Sequence, residues 1–329
     1  MRHLRSLSAL LVLVVLWPSS PAAAGGTSGP HGKVFLPNPA VSLQSQDLSD
    51  QKDADYAALK DAYVLVPLHR IDGSGYLEGD FVTVRGSGGR AFSADGQFLY
   101  GRDEPEFEQV AAYYAITEAQ LYIQSLGFDD IQSDGILVRV DQFGVDNSYF
   151  DPTKDMIRLG KGGIDDAEDL EVIWHEYGHA IQHAEVEGFG VGHDARSIGE
   201  GFGDYWAATM SEPVSDGYGV TCIAEGDSIS YTPGEDPHCL RRVDLDLTVV
   251  DQTGRIHHDG QIWSRALWDI HTALGREEAD TIVLTAQYDF NPSTTFRDAA
   301  LNTIESARAV GGARAARVAR EAFVARGIL

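Results

Sequence analysis

Apolar positions along the chain fall into two textures. Short runs, Tyr63-Val64-Leu65-Val66-Pro67 and Phe81-Val82-Thr83-Val84, are separated by the turn dipeptides Asp72-Gly73 and Gly79-Asp80. Such spacing predicts β-hairpins between residues 63 and 84. Ile136-Leu137-Val138-Arg139-Val140 and Met156-Ile157-Arg158-Leu159 predict two further strands. Over 105–126 apolar groups recur at helical spacing and stop at Gly127, which predicts a helix with a glycine C-cap. Beyond residue 165 helical spacing dominates, and helices are expected over 168–184, 199–211, 260–274, 277–287, 295–309 and 312–325. A β-rich front followed by a helical back is an α+β plan, two lobes around one cleft. Residues 25–50, rich in Gly, Pro and Ser, predict a loose surface wrapping.

The first residues follow another pattern. Arg2 and Arg5 precede an apolar run from Ala9 to Trp17, and Ala22-Ala23-Ala24 stand before Gly25. This succession predicts a cleaved secretory signal over residues 1–24, because the apolar run is far short of the ~20 residues a membrane helix needs. The rest divides into a β-rich lobe over 25–185 and a helical lobe over 186–329. Export gives the only two cysteines a meaning: Cys222 and Cys239, an even pair in an oxidising compartment, are expected to bridge. The chain carries 25 basic against 50 acidic side chains, a formal net charge of −25. That excludes a basic face for nucleic acid or anionic membrane. It leaves carboxylates for a hard cation such as calcium, with Asp165-Asp166 and Asp129-Asp130 as candidates.

The chemistry lies where the textures meet. His175-Glu176-Tyr177-Gly178-His179 is an H-E-x-x-H motif in a helical segment. Imidazoles at i and i+4 leave one face of a helix, so both can reach one zinc ion. Glu176 then falls where a base is needed to take a proton from water. Glu200, in Gly199-Glu200-Gly201-Phe202-Gly203-Asp204-Tyr205-Trp206, supplies an oxygen as third ligand. Asp204, one turn on, is placed to accept the second N–H of a ligating imidazole. His183 lies too far along the helix axis to share a tetrahedral ion with His179. The metzincin pattern needs a glycine at 182 and a histidine at 185, where this chain has Gln182 and Glu185. His193-Asp194 is the other nearby option.

These motifs resemble those of the thermolysin-like and fungalysin-like zinc metallopeptidases, the gluzincin type. His175 to His179 matches their zinc helix, and Gly199 to Asp204 resembles their downstream ligand helix. Glu168 to Trp174 is similar to the acidic-aliphatic lead-in, Asn147-Ser148-Tyr149-Phe150 to the substrate-binding edge strand, and His257-His258-Asp259-Gly260-Gln261-Ile262-Trp263 to a downstream histidine segment. The resemblance implies a metalloendopeptidase that acts on proteins or peptides and cleaves before bulky apolar residues, and the chain is expected to be a monomer. In it His257, rather than His258, donates to the oxyanion, and Asp204 holds His175. Asn147 and Arg241-Arg242 are candidate substrate contacts. Two features depart from the family. Its oxyanion tyrosine has no counterpart in Gly188-Phe189-Gly190-Val191-Gly192, which leaves zinc and His257 alone, or Tyr205 or an unplaced residue. Its long inhibitory prodomain has no counterpart between Gly25 and Lys33-Val34-Phe35. The competing reading is a catalytically silent, acidic, secreted protein that keeps zinc for structure.

Overall fold

The stretch expected to wrap loosely instead supplies the first strand. In the computed structural model, which describes residues 29–232 and 235–329, β1 (His31–Phe35) buries Val34 and Phe35 completely. The signal expected over 1–24 lies outside the described residues. After a short helix α1 (Pro39–Ser42), β2 (Tyr63–Pro67) pairs antiparallel with β1. β3 (Val82–Arg85) does not return onto β2 as a hairpin; only isolated bridges such as Ile71 with Gly79 mark the turn-rich stretch between them. The physical reason is burial. β4 (Gln97–Phe98) closes the first sheet in the order β2-β1-β4, and α2 (Phe107–Ser125) lies against β1 and β3. Val82 and Val84 gain more by pairing in parallel with Ile136 and Val138 of β5 (Ile136–Arg139) beneath that helix.

β6 (Tyr149–Asp151) and β7 (Met156–Arg158) complete the second sheet in the order β3-β5-β7-β6, with β6 as its edge. The next two elements are α3 (Leu170–Glu185) and α4 (His193–Ser211). Two hydrogen bonds lock α3 to α2: Trp174 Nε1 donates to the Ala115 carbonyl at 3.0 Å, and Tyr177 Oη to Gln120 Oε1 at 2.6 Å. α4 begins six residues before the expected 199, since the glycine-rich approach hides its first turns from a periodicity reading. β8 (Cys222–Ile223), α5 (Glu225–Ser228) and β9 (Arg241–Arg242) follow, with Cys222 and Cys239 bridged at a Cα separation of 5.3 Å. α6 (Ile256–Leu274), α7 (Arg276–Gln287) and α8 (Phe296–Ala325) finish the chain. α8 breaks at Gly312, whose φ of 72° interrupts the helical path between the two helices expected there. The fold is α+β, and the larger hydrophobic core draws on residues from Val34 to Ile328, with a smaller cluster of Phe35, Leu59, Ala62 and Phe107 besides. Among the described residues no helix is long and apolar enough to cross a membrane.

Candidate metal centre

α3, α4 and α6 pack closely, and the first two bring the predicted ligands together. Asp169 caps α3 by accepting from the Glu171 N–H at 2.9 Å, so the helix starts where His175 and His179 come to face α4. One donor atom each from His175, His179 and Glu200 lies within 4.8 Å of the others. His175 Nε2 is 3.4 Å from Glu200 Oε2, and His179 Nε2 is 3.9 Å from Glu200 Oε1. Glu200 Oε2 is buried without a hydrogen bond, a costly arrangement unless a cation sits beside it. Two imidazole nitrogens and one carboxylate fit zinc with a position left for water.

The electrostatics of the pocket point the same way. Burial alone would raise the Glu200 carboxyl. The close approach of His175 and the charges of His179 and Arg241 instead hold it well below the usual carboxylate range. Burial opposes charge on His175, yet its bonds to Asp204 and Glu200 push it up to about 9. The pocket therefore favours positive charge where Glu200 faces the imidazoles.

Asp204 is wholly buried, with Oδ1 2.9 Å from His175 Nδ1. That contact leaves Nε2 free to face the ligand set. Asp204 has a second partner that the sequence reading did not assign to it: Arg241 Nε donates to both its oxygens, at 2.9 and 2.8 Å. Arg241 lines the cleft, but Arg242 does not; its guanidinium pairs with Asp244 at 2.7 Å on the other side of β9. Alternate residues of a strand face opposite sides, which separates this neighbouring pair.

Close helix contact is built into the glycines. A Cβ on Gly203 would stand 2.7 Å from His175 Nδ1, and one on Gly178 would stand 3.0 Å from the Gly203 Cα. We expect Gly203→Ala to push the His175 ring off Asp204 and to weaken zinc affinity about 10–100-fold. Competition with a chromogenic chelator, beside an unchanged far-UV circular dichroism spectrum, checks this.

His257 sits in the first turn of α6 rather than on a loop, with Nε2 3.3 Å from Glu200 Oε2. His258 turns to Asp259, with Nδ1 2.9 Å from Oδ1. The buried Asp259 also takes His193 Nε2 at 2.9 Å and the backbone N–H groups of Thr253 and Gly254. His193 thus braces the turn that presents His257 and does not join the ligand set. The sequence signal for Asp259 was its place directly after the two histidines. Tyr205 is buried with its hydroxyl on Asp280, outside the cleft, so it is not the missing oxyanion residue.

A cleft of about 1190 Å³ opens over the centre, and Glu176, Asn147, Tyr231 and both α6 histidines line it. The adjacent pair Asp165-Asp166 splits: Asp165 joins Glu108 and Asp141 in the interior, whereas Asp166 joins Asp146 and Asp227 at the cleft. Burial, with the neighbouring Asp141 and Asp165, pushes the Glu108 carboxyl far up. Asp130 accepts from Tyr288 Oη at 3.2 Å, and neither Asp129 nor Asp130 belongs to a three-ligand group among the described residues.

No protein-family model matches the sequence, and no curated protein matches it. The fold is similar to a solved structure, the precursor of protealysin, a metalloproteinase from Serratia proteamaculans. The TM-score is 0.64 at 16% identity, covering 80% of this chain and 91% of that one. The chain thus shares its fold with that metalloproteinase precursor, and its chemistry has to be argued from the residues in the cleft.

Proposed function

We propose that the chain is a secreted zinc metalloendopeptidase of the thermolysin-like and fungalysin-like, gluzincin type. The observation that carries the reading is the convergence of His175, His179 and Glu200 beside Glu176 in one cleft. Zinc bound by the three ligands would supply a Lewis acid that polarises a peptide carbonyl and acidifies water. Glu176, 7% exposed and lining the cleft, accepts the proton of the attacking water and returns it to the departing amine. His257 offers an N–H donor to the oxyanion from the α6 side of the cleft. Asp204 fixes the tautomer of His175, and Asn147 with Arg241 contributes to the walls against which the substrate backbone lies.

This reading divides the chain after Glu185, with the zinc helix ending the first lobe and the third ligand opening the second. The bridge between Cys222 and Cys239 supports export, and the net charge of −25 disfavours nucleic acid as a partner. Casein zymography tests the activity. Clearing is expected from the purified chain, is lost with 1,10-phenanthroline and returns with added zinc. A zinc-loaded protein that leaves casein and a mixed peptide library intact would be the silent binding protein instead.

A further inference from the structure

Three aspartates from distant segments meet on one wall of the cleft: Asp146 ahead of β6, Asp166 ahead of α3, and Asp227 in α5. One oxygen of each lies within 4.8 Å of the others. Ser148 Oγ donates to Asp166 Oδ2, and Tyr231 Oη donates to Asp227 Oδ2 at 2.6 Å. The remaining oxygens are orphaned: Oδ1 of Asp166 and Oδ1 of Asp227 are buried and have no partner. These residues are only 2% and 3% exposed, yet they line the cleft. Arg241, on the same wall, is spent on Asp204. Burial pushes all three carboxyls up, Asp166 to about 7 and Asp146 to about 6, so a cation held among them would offset the cost of charging them.

The surroundings suit one kind of guest. Val172, Ile223 and Leu240 also line the cleft and provide apolar surface for a methylene stem. A long side chain that is apolar along its length and cationic at its tip matches both parts of this wall. The wall is on the side of Glu176, whose charge adds to the upward push on Asp166. Glu176 returns the proton to the departing amine, so the residue that carries this amine is the one that meets the aspartates.

We propose that Asp146, Asp166 and Asp227 form a specificity pocket for lysine or arginine, so that the enzyme cleaves on the N-terminal side of basic residues. This rests on the peptidase reading of the zinc centre, and it departs from the apolar preference that the family resemblance implies.

The test has two arms, both on the full chain loaded with zinc. In the first, the Glu176→Gln protein is titrated calorimetrically with peptides that differ only in one central residue, Lys, Leu or Glu. The Lys peptide is expected to bind about tenfold or more tighter than the Leu peptide. In the second, the unsubstituted chain digests a peptide library, and mass spectrometry locates the cuts, expected before Lys and Arg. The isosteric pair Asp166→Asn with Asp227→Asn should lower the Lys-to-Leu ratio of kcat/KM at least about tenfold. Asp146→Asn, on the exposed member, should lower it less, and it guards against misfolding of the buried pair.

Cleavage without a basic preference would overturn the pocket and leave the peptidase reading standing. Lys-selective binding without cleavage would do the reverse. Basic residues found only on the acyl side of the cuts would overturn the assignment. So would a calcium ion held by the three aspartates, seen as tight calcium uptake that Asn substitution abolishes and the Lys peptide does not displace.

Discussion

Glu176→Gln is expected to lower peptide hydrolysis by about 10²–10⁴-fold while zinc content stays at the parent level. The two halves of this result come from different atoms. The ligand set consists of His175, His179 and Glu200, whose donor atoms lie within 4.8 Å of one another without any contribution from Glu176. The amide of Gln has almost the shape of the carboxylate, so α3 and the cleft keep their packing. What disappears is a group able to accept a proton at neutral pH and return it. Glu176 sits one residue after His175 on the same helix, so its distance to the centre is fixed by the backbone. Parallel measurement of kcat/KM on a quenched fluorescent peptide and of zinc by atomic absorption decides the point. Retained hydrolysis in a zinc-loaded variant would assign the base to another residue. Loss of zinc together with activity would make Glu176 part of the ligand field.

The grouping of the candidate ligands was legible in the sequence because it is local. His175 and His179 depend only on the helical repeat, and so do Glu200 and Asp204. Each pair needed one helix, and both expected helices form, α4 with six further residues at its start. Arg241 was not assignable to Asp204, because that contact joins residues 37 apart through the fold of the segment that carries the disulfide. The acidic wall was invisible for the same reason. Asp165 and Asp166 read as one calcium-like pair, yet Asp165 stands in extended backbone just before the 3-10 turn that Asp166 begins, and they enter different clusters. β1 was missed on composition: glycine and proline near it suggested a loop, whereas Val34 and Phe35 are core residues. In each miss, contacts between distant segments decided the outcome.

The Arg241 contact changes what Asp204→Ala should do. If Asp204 merely oriented His175, its loss would weaken zinc binding about 10–100-fold and leave stability alone. But the carboxylate is wholly buried and accepts two hydrogen bonds from Arg241, whose side chain is only 11% exposed. Burial would raise the Asp204 carboxyl, and the Arg241 charge and the His175 bond hold it below its ordinary value instead. Removing one partner of such a pair strands the other charge and costs about 3–5 kcal/mol. We therefore expect two different rankings. For zinc retention after dialysis against a weak chelator, Glu200→Ala is worst, Asp204→Ala is intermediate and Glu176→Gln matches the parent. For stability of the metal-free chain in urea, Asp204→Ala falls below Glu200→Ala. Adding Arg241→Leu to Asp204→Ala should recover much of the stability and none of the zinc affinity, because the stranded guanidinium is gone while His175 still lacks its partner. If Asp204→Ala unfolded like the parent and held zinc like the parent, Asp204 would be neither the brace of His175 nor the counterion of Arg241.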